Sequence, residues 1–176
     1  MSVRTAATVT ILAALLASPA SLAQQAPPPN PLDNVADKMG FDVPYGAPIP
    51  LDRAESAIAA AVAEARKRDW KLNVAVVDSG GNLVAFQRMD GAQLASIQVS
   101  QQKAHSSLLW RRETKVFENA IQQSGFNYVM TLDNVVGARG GIPLVENGKI
   151  IGAIGCSGGS GAQDEVACKA GAATIK

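Results

Sequence analysis

Gly140-Gly141-Ile142-Pro143-Leu144-Val145-Glu146-Asn147-Gly148-Lys149-Ile150-Ile151-Gly152-Ala153-Ile154-Gly155-Cys156-Ser157-Gly158-Gly159, with Gln163-Asp164-Glu165 just beyond, is the stretch that decides the fold. Two short β-branched segments flank Asn147-Gly148, the dipeptide that best tolerates the positive φ angles of a type I′ turn, so the run predicts a tight β-hairpin. Its second strand breaks into glycines. The backbone of the resulting loop can approach a ligand or another chain, and the loop leads into an acidic helix start. Any chemistry is expected there.

Upstream, Leu51, Ala54, Ile58, Ala61, Val62 and Ala65 fall on one stripe of an amphipathic helix that is expected to end near Asp69. Leu72 to Asp78 reads as a largely buried strand. Ser79-Gly80-Gly81-Asn82 supplies turn chemistry for a hairpin to Leu83–Arg88, which Met89-Asp90-Gly91 terminates. A second helix is predicted from about Gln93 to Trp110, with Leu94, Ile97, Gln101, Ala104 and Leu108 on one side. A shorter one follows over Lys115–Gln123, with Gly125 as its cap. Two local hairpins interleaved with helices need no parallel crossover. The reading is an α+β domain: a mostly antiparallel sheet with helices on one face or one edge.

The chain of 176 residues is 47% hydrophobic and 18% charged, enough for one domain with a proper core. Arg4 is the only charged residue among positions 1–23, so removing them takes the formal charge from +1 to zero. That balance offers no electrostatic footprint for nucleic acid or anionic lipid. Residues 1–23 read as a signal peptide, with Arg4 as n-region, Ala6–Ala17 as apolar core and Ser21-Leu22-Ala23 as cleavage site. No later segment approaches the roughly 20 apolar residues of a membrane span. The expected location is periplasmic or secreted. Residues 24–48 contain six prolines and few large apolar side chains, which predicts a flexible arm, free or lying on a partner, before a domain at 49–176.

The hairpin Val74–Leu83, the stretch Phe86-Gln87-Arg88-Met89-Asp90-Gly91-Ala92, the pair Lys103-Ala104 and the glycine-rich run with Gln163-Asp164-Glu165 together resemble the GlcG/HbpS-like family. The same domain closes PduO-type corrinoid adenosyltransferases. The resemblance covers about residues 50–175 and is specific for fold more than for function. It implies a five-stranded antiparallel sheet flanked by helices, of profilin/PAS-like type. It further implies homo-oligomers, often octamers, and haem binding or degradation in secreted members.

Haem iron takes an axial ligand from His, Cys, Met or Tyr, and the single imidazole here is His105. The family usually shows Lys-Ala-x-Thr-Ala where this chain has Lys103-Ala104-His105-Ser106-Ser107. Either the variable place has gained a ligand or a helix carries a surface histidine. No residue matches the family's N-terminal ligand histidine; Tyr45 and Met89 are the substitutes.

A second constellation is polar. If Arg88, Asp90, Lys103, Asp164 and Glu165 converge on the Gly158-Gly159 loop, they form a pocket for a small anionic or carbonyl-bearing ligand. In a cofactor-independent lyase or isomerase, Lys103 or Arg88 would act as electrophile and Glu165 as acid or base. Against this, Asp164 and Glu165 also suit simple capping of a helix start, and the glycines suit a sharp turn or a subunit contact. A third option is a structural or regulatory oligomer without activity. Cys156 and Cys168, twelve residues apart, read as a disulfide, as two buried thiols, or as a reactive Cys156 at the loop. Two cysteines and one histidine are too few for a structural zinc site, and no nucleophile elbow surrounds a serine.

Overall fold

The structure, a computed structural model, describes residues 36–176, so the expected signal segment and the first part of the proline-rich stretch lie outside the described residues. Chain order is α1 (Leu51–Arg66), β1 (Asn73–Asp78), β2 (Leu83–Arg88), α2 (Ala95–Leu109), α3 (Lys115–Gln122), a 3-10 turn (Asn127–Thr131), β3 (Gly141–Glu146), β4 (Lys149–Ser157) and α4 (Gly161–Ala172). The four strands form one antiparallel sheet in the order β2-β1-β4-β3. No helix among the described residues is long and apolar enough to cross a membrane.

The β3–β4 hairpin forms as its sequence requires: Asn147 and Gly148 both take positive φ, 49° and 72°, and join the strands in two residues. A bulge in the ladder after Leu144 then shifts the alternation of β4. Ile150 and Ala153 therefore face Val77, Ala104 and Leu108 on one side of the sheet, while Ile151, Ile154 and Cys156 join the larger core on the other.

Helices cover both faces, not one face or edge. The small residues of α1 (Ala54, Ala57, Ala61, Ala65) and the buried face of α4 close the larger core, and α2 covers the opposite face. The seat of α2 is made of glycine. Gly141 and Gly155 stand opposite each other across the β3–β4 ladder, and a Cβ on either would lie 2.2 Å from the Lys103 carbonyl oxygen or 2.0 Å from that of Ser100.

So close an approach decides which side of α2 goes inward. Ser96, Ser100, Lys103 and Ser107 are buried beside Ala104 and Leu108, so the second half of the expected apolar stripe faces inward, whereas its first half does not: Leu94 is 69% exposed and Ile97 only partly covered. Leu51, expected in the α1 stripe, is likewise 53% exposed.

The sheet has four strands, not five. At its near end β4 outruns β1, and the segment Pro44–Ile49 takes the vacant side: Gly46 N–H donates to Ile150 C=O, Ile150 N–H to Pro44 C=O and Ile49 N–H to Ile151 C=O, each at 2.8 Å. A single parallel bridge, Tyr45 with Ile150, results. Pro44, Pro48 and Pro50 have no N–H to continue a ladder. Part of the proline-rich stretch thus lies on its own domain.

Cys156 and Cys168 are bonded, with Cα atoms 5.7 Å apart, and tie β4 to α4 in the core. Closing a loop of this length removes about 3 kcal/mol of unfolded-state freedom. We expect the Cys156→Ala/Cys168→Ala variant to lose about that much stability in urea unfolding; a loss below about 1 kcal/mol would show that the crosslink contributes little.

Candidate functional site

Consecutive residues of a helix are set 100° apart, so side chains two positions apart on α2 diverge by about 200°. Lys103 consequently enters the sheet side and His105 leaves it. The two constellations expected from the sequence are therefore separate places.

The Lys103 ammonium is 3% exposed and donates to Asp164 Oδ2 at 2.7 Å and to the Cys156 carbonyl at 3.2 Å. Asp164 Oδ1 accepts from Gly159 N–H at 3.0 Å, so the carboxylate closes the glycine loop over the start of α4. Burial pushes the Asp164 carboxyl above its usual range, and the Lys103 ammonium and the loop N–H groups pull it back only in part. Gly158 (φ 147°) rests on the backbone of Lys71 and Leu72, and Ser160 caps α4 reciprocally with Gln163. Loop, ammonium and carboxylate are consumed by one another.

Glu165 faces a different set of groups. It accepts from Lys115 at 3.0 Å, from Arg139 at 3.2 Å and from Lys169, while Arg139 also donates to Glu118 at 2.6 Å. These pairs fasten the segment before β3 to α3 and α4. Arg88 and Asp90 are exposed and make no ion pair among the described residues. The expected five-member cluster thus resolves into a buried pair, a separate carboxylate network and two solvated charges, because Arg88 and Asp90 occupy the end of edge strand β2 and the turn after it.

Burial alone would raise Glu165 and Glu118, but hydrogen bonds from Lys169 and Lys115 to the first, and from Arg139 to the second, hold both below the usual carboxylate range. The unfolded chain then binds more protons than the folded one, and stability falls as pH drops below about 4.3. We expect Arg139→Ala to flatten this acid limb and to lower stability at neutral pH; an unchanged acid limb in urea titrations would remove the network from the stability account.

On its outer side α2 borders a half-open cleft of about 540 Å3, within the range of about 300–1,000 Å3 typical of small-molecule sites. Gln98, Gln101, Gln102 and His105, spaced i, i+3, i+4 and i+7, form one stripe of it. Val77 and Leu83 of the first hairpin and Asn134, Val135 and Val136 of the loop before β3 complete the walls. The Val136 N–H donates to Ser106 Oγ at 3.1 Å, so the serine at the family's threonine position pins the loop wall to α2.

Gly81 (φ 89°) keeps the hairpin tip clear of the imidazole: a Cβ there would stand 3.0 Å from His105 Nε2. No hydrogen bond to either His105 ring nitrogen occurs among the described residues, and no charged side chain lines the cleft. An imidazole with valine and leucine walls fits the iron and ring of a haem; nothing in the cleft pairs ionically with its propionates.

The substitutes for a second ligand lie elsewhere. Tyr45 Oη donates to the Leu108 and Leu109 carbonyls at 3.0 and 3.2 Å, and Met89 is buried in the larger core. Sequence reading missed the three glutamines and the 134–136 loop. Their i, i+3, i+4 spacing around His105 was the available signal, outweighed by the apolar residues on the same helix.

Residues 49–173 match the family model described as haem degrading protein HbpS-like. Over 104 residues the chain is 42% identical to protein GlcG of Escherichia coli strain K12, an alignment spanning 59% of this chain and 77% of GlcG. Among solved structures it is similar to a double mutant of HbpS from Streptomyces reticuli, with TM-score 0.67 and 30% identity over 81% of this chain and 97% of that one. The PduOC haem complex is similar too, with TM-score 0.66 and 26% identity over 74% of this chain and 96% of that one. With a match that spans the whole sheet and all four helices, the chain belongs to the HbpS-like family.

Proposed function

We propose that this protein is an exported, self-associating binder of haem or a closely related tetrapyrrole, with His105 as the axial ligand. One observation carries the reading: the only imidazole of the chain lines the 540 Å3 cleft, its Nε2 given room by Gly81. The family description and the haem complex of PduOC supply the ligand class. When bound, haem would bring an iron centre; this chain's part is to ligate it through His105 and to shield the ring with Val77, Leu83, Val135 and Val136. Arg88, Lys103 and Glu165, the groups expected to be catalytic together, do not meet: Lys103 pairs with Asp164, Glu165 with Lys115, Arg139 and Lys169, and Arg88 is exposed.

Export is supported by the character of residues 1–23 and by the Cys156–Cys168 bond, which persists in oxidising compartments. Self-association enters this reading from the family resemblance, and the exposed Leu94 and Met130, at 69% and 65%, are the side chains to watch for burial in an assembly. A native mass spectrum of the mature protein would read assembly size and signal cleavage together.

Adding haemin to the purified protein is expected to give a sharp Soret band that His105→Ala abolishes. A broad, unshifted spectrum in the wild type would reject haem binding. A sharp band that survives the substitution would move the ligand elsewhere.

A further inference from the structure

Among the described residues the cleft is lined by several side-chain amides and by no Lys, Arg, Asp or Glu. Along the seven-residue rise from Gln98 to His105, about 10 Å of helix, three of the four side chains of the stripe are uncharged amides. Gln101 Nε2 donates back to the Ile97 carbonyl at 3.2 Å, which leaves its oxygen as an acceptor. Gln98 and Gln102 are exposed and make no hydrogen bond among the described residues, so each offers both a donor and an acceptor. Asn134, held at φ 59°, adds a further amide from the opposite wall.

The cation that would suit an anionic ligand is close along the chain but turned away. Lys103 sits one residue after Gln102, and its ammonium is committed to Asp164 beneath the helix.

We propose that Gln98, Gln101, Gln102 and Asn134 determine ligand specificity by recognising a neutral hydrogen-bonding periphery, so that carboxylates on the macrocycle contribute little to binding. The inference rests on the tetrapyrrole reading of the cleft and says which members of that class it takes: macrocycles whose rim carries amides, esters or carbonyls bind as well as those carrying acids. Acid and ester oxygens on the rim of a bound macrocycle would be met alike by the amide N–H groups of these residues, and a full charge on the acid would add little in so open a cleft, where ion pairs are weak in any case.

The test compares iron protoporphyrin with its dimethyl ester, titrated into wild-type protein in the same dilute non-ionic detergent at 0.05 and 0.5 M NaCl. Two surface ion pairs would favour the diacid by up to about fivefold each and would be screened at the higher salt. We expect the two affinities to agree within about threefold and to be insensitive to salt. Gln98→Ala/Gln102→Ala should weaken both ligands alike, by about fivefold. Gln102→Lys should create a preference for the diacid that salt removes.

A diacid bound more than about tenfold tighter than the ester, with the difference lost in 0.5 M salt, overturns the neutral-rim inference and leaves haem binding intact. Unchanged affinities in the double alanine variant also overturn it. If neither metalloporphyrin produces a His105-dependent band, the haem reading falls and takes this inference with it.

Discussion

Gly155→Ala is expected to unfold the domain or to lift α2 off the sheet. The added Cβ would stand 2.0 Å from the Ser100 carbonyl oxygen, 2.5 Å from the Ala104 nitrogen and 3.1 Å from the Ala104 Cα. All three are backbone atoms, so no side-chain rotation relieves the clash. The backbone at 155 is ordinary extended strand, and the cost is therefore steric. Overpacking of this kind costs about 3 kcal/mol or more where backbone must move.

Two glycines serve as internal standards. Gly40→Ala meets nothing within 4 Å and should be neutral, and Gly148→Ala, also unobstructed but at φ 72°, should cost about 1 kcal/mol in left-handed strain alone. Urea unfolding of the three variants checks the ranking. A Gly155→Ala protein as stable as wild type would mean that α2 is not seated on the β3–β4 ladder as described.

Lys103→Met is expected to cost about 3–5 kcal/mol at neutral pH, because it leaves the Asp164 carboxylate, 2% exposed, with only the N–H groups of the glycine loop for company. The sign of the pH dependence separates this cause from lost packing. Burial already raises the Asp164 carboxyl, and without the ammonium it rises further. The folded state then binds the proton more tightly than the unfolded one, so stability falls as pH rises through the folded value and is regained on acidification.

Lys103→Met should therefore recover stability as pH is lowered through the range where Asp164 takes up its proton. Replacing both partners, Lys103→Met with Asp164→Leu, should restore more than half of the loss, since no charge remains buried. A single variant equally destabilised at every pH would point to shape and not to charge. His105, on the other side of α2, is untouched by these substitutions, so haemin titration of any folded variant keeps stability and ligation apart.

The two predictions concern residues whose types were visible in the sequence but whose relations were not. Asn147-Gly148 announced its hairpin because a type I′ turn depends on two adjacent residues. Leu83–Arg88 and the helix near Leu51 were legible for the same reason, their signals being complete within a few turns of chain. The face of α2 was not. Hydropathy favoured Leu94 and Ile97 along with Ala104 and Leu108, yet only the latter two went inward, because the glycines at 141 and 155, some forty to fifty residues downstream, bring the backbone at Ser100, Lys103 and Ala104 against the ladder. The partners of Lys103 were half legible: Asp164 joined it as expected, whereas Arg88 and Asp90 stayed in water at the sheet edge.

What the sequence determined by itself was local and cumulative: the order of elements, the tight hairpin, the family and the presence of a single imidazole. Tertiary structure alone decided that Lys103 and His105 serve different sides of one helix, that the sheet stops at four strands, and that three glutamines share the wall with the histidine. The physical reason is the range of the forces involved. Turn chemistry and periodicity are written in dihedral preferences of neighbouring residues, whereas the seating of α2 depends on contacts between backbones separated by dozens of residues, which exist only once the sheet has closed.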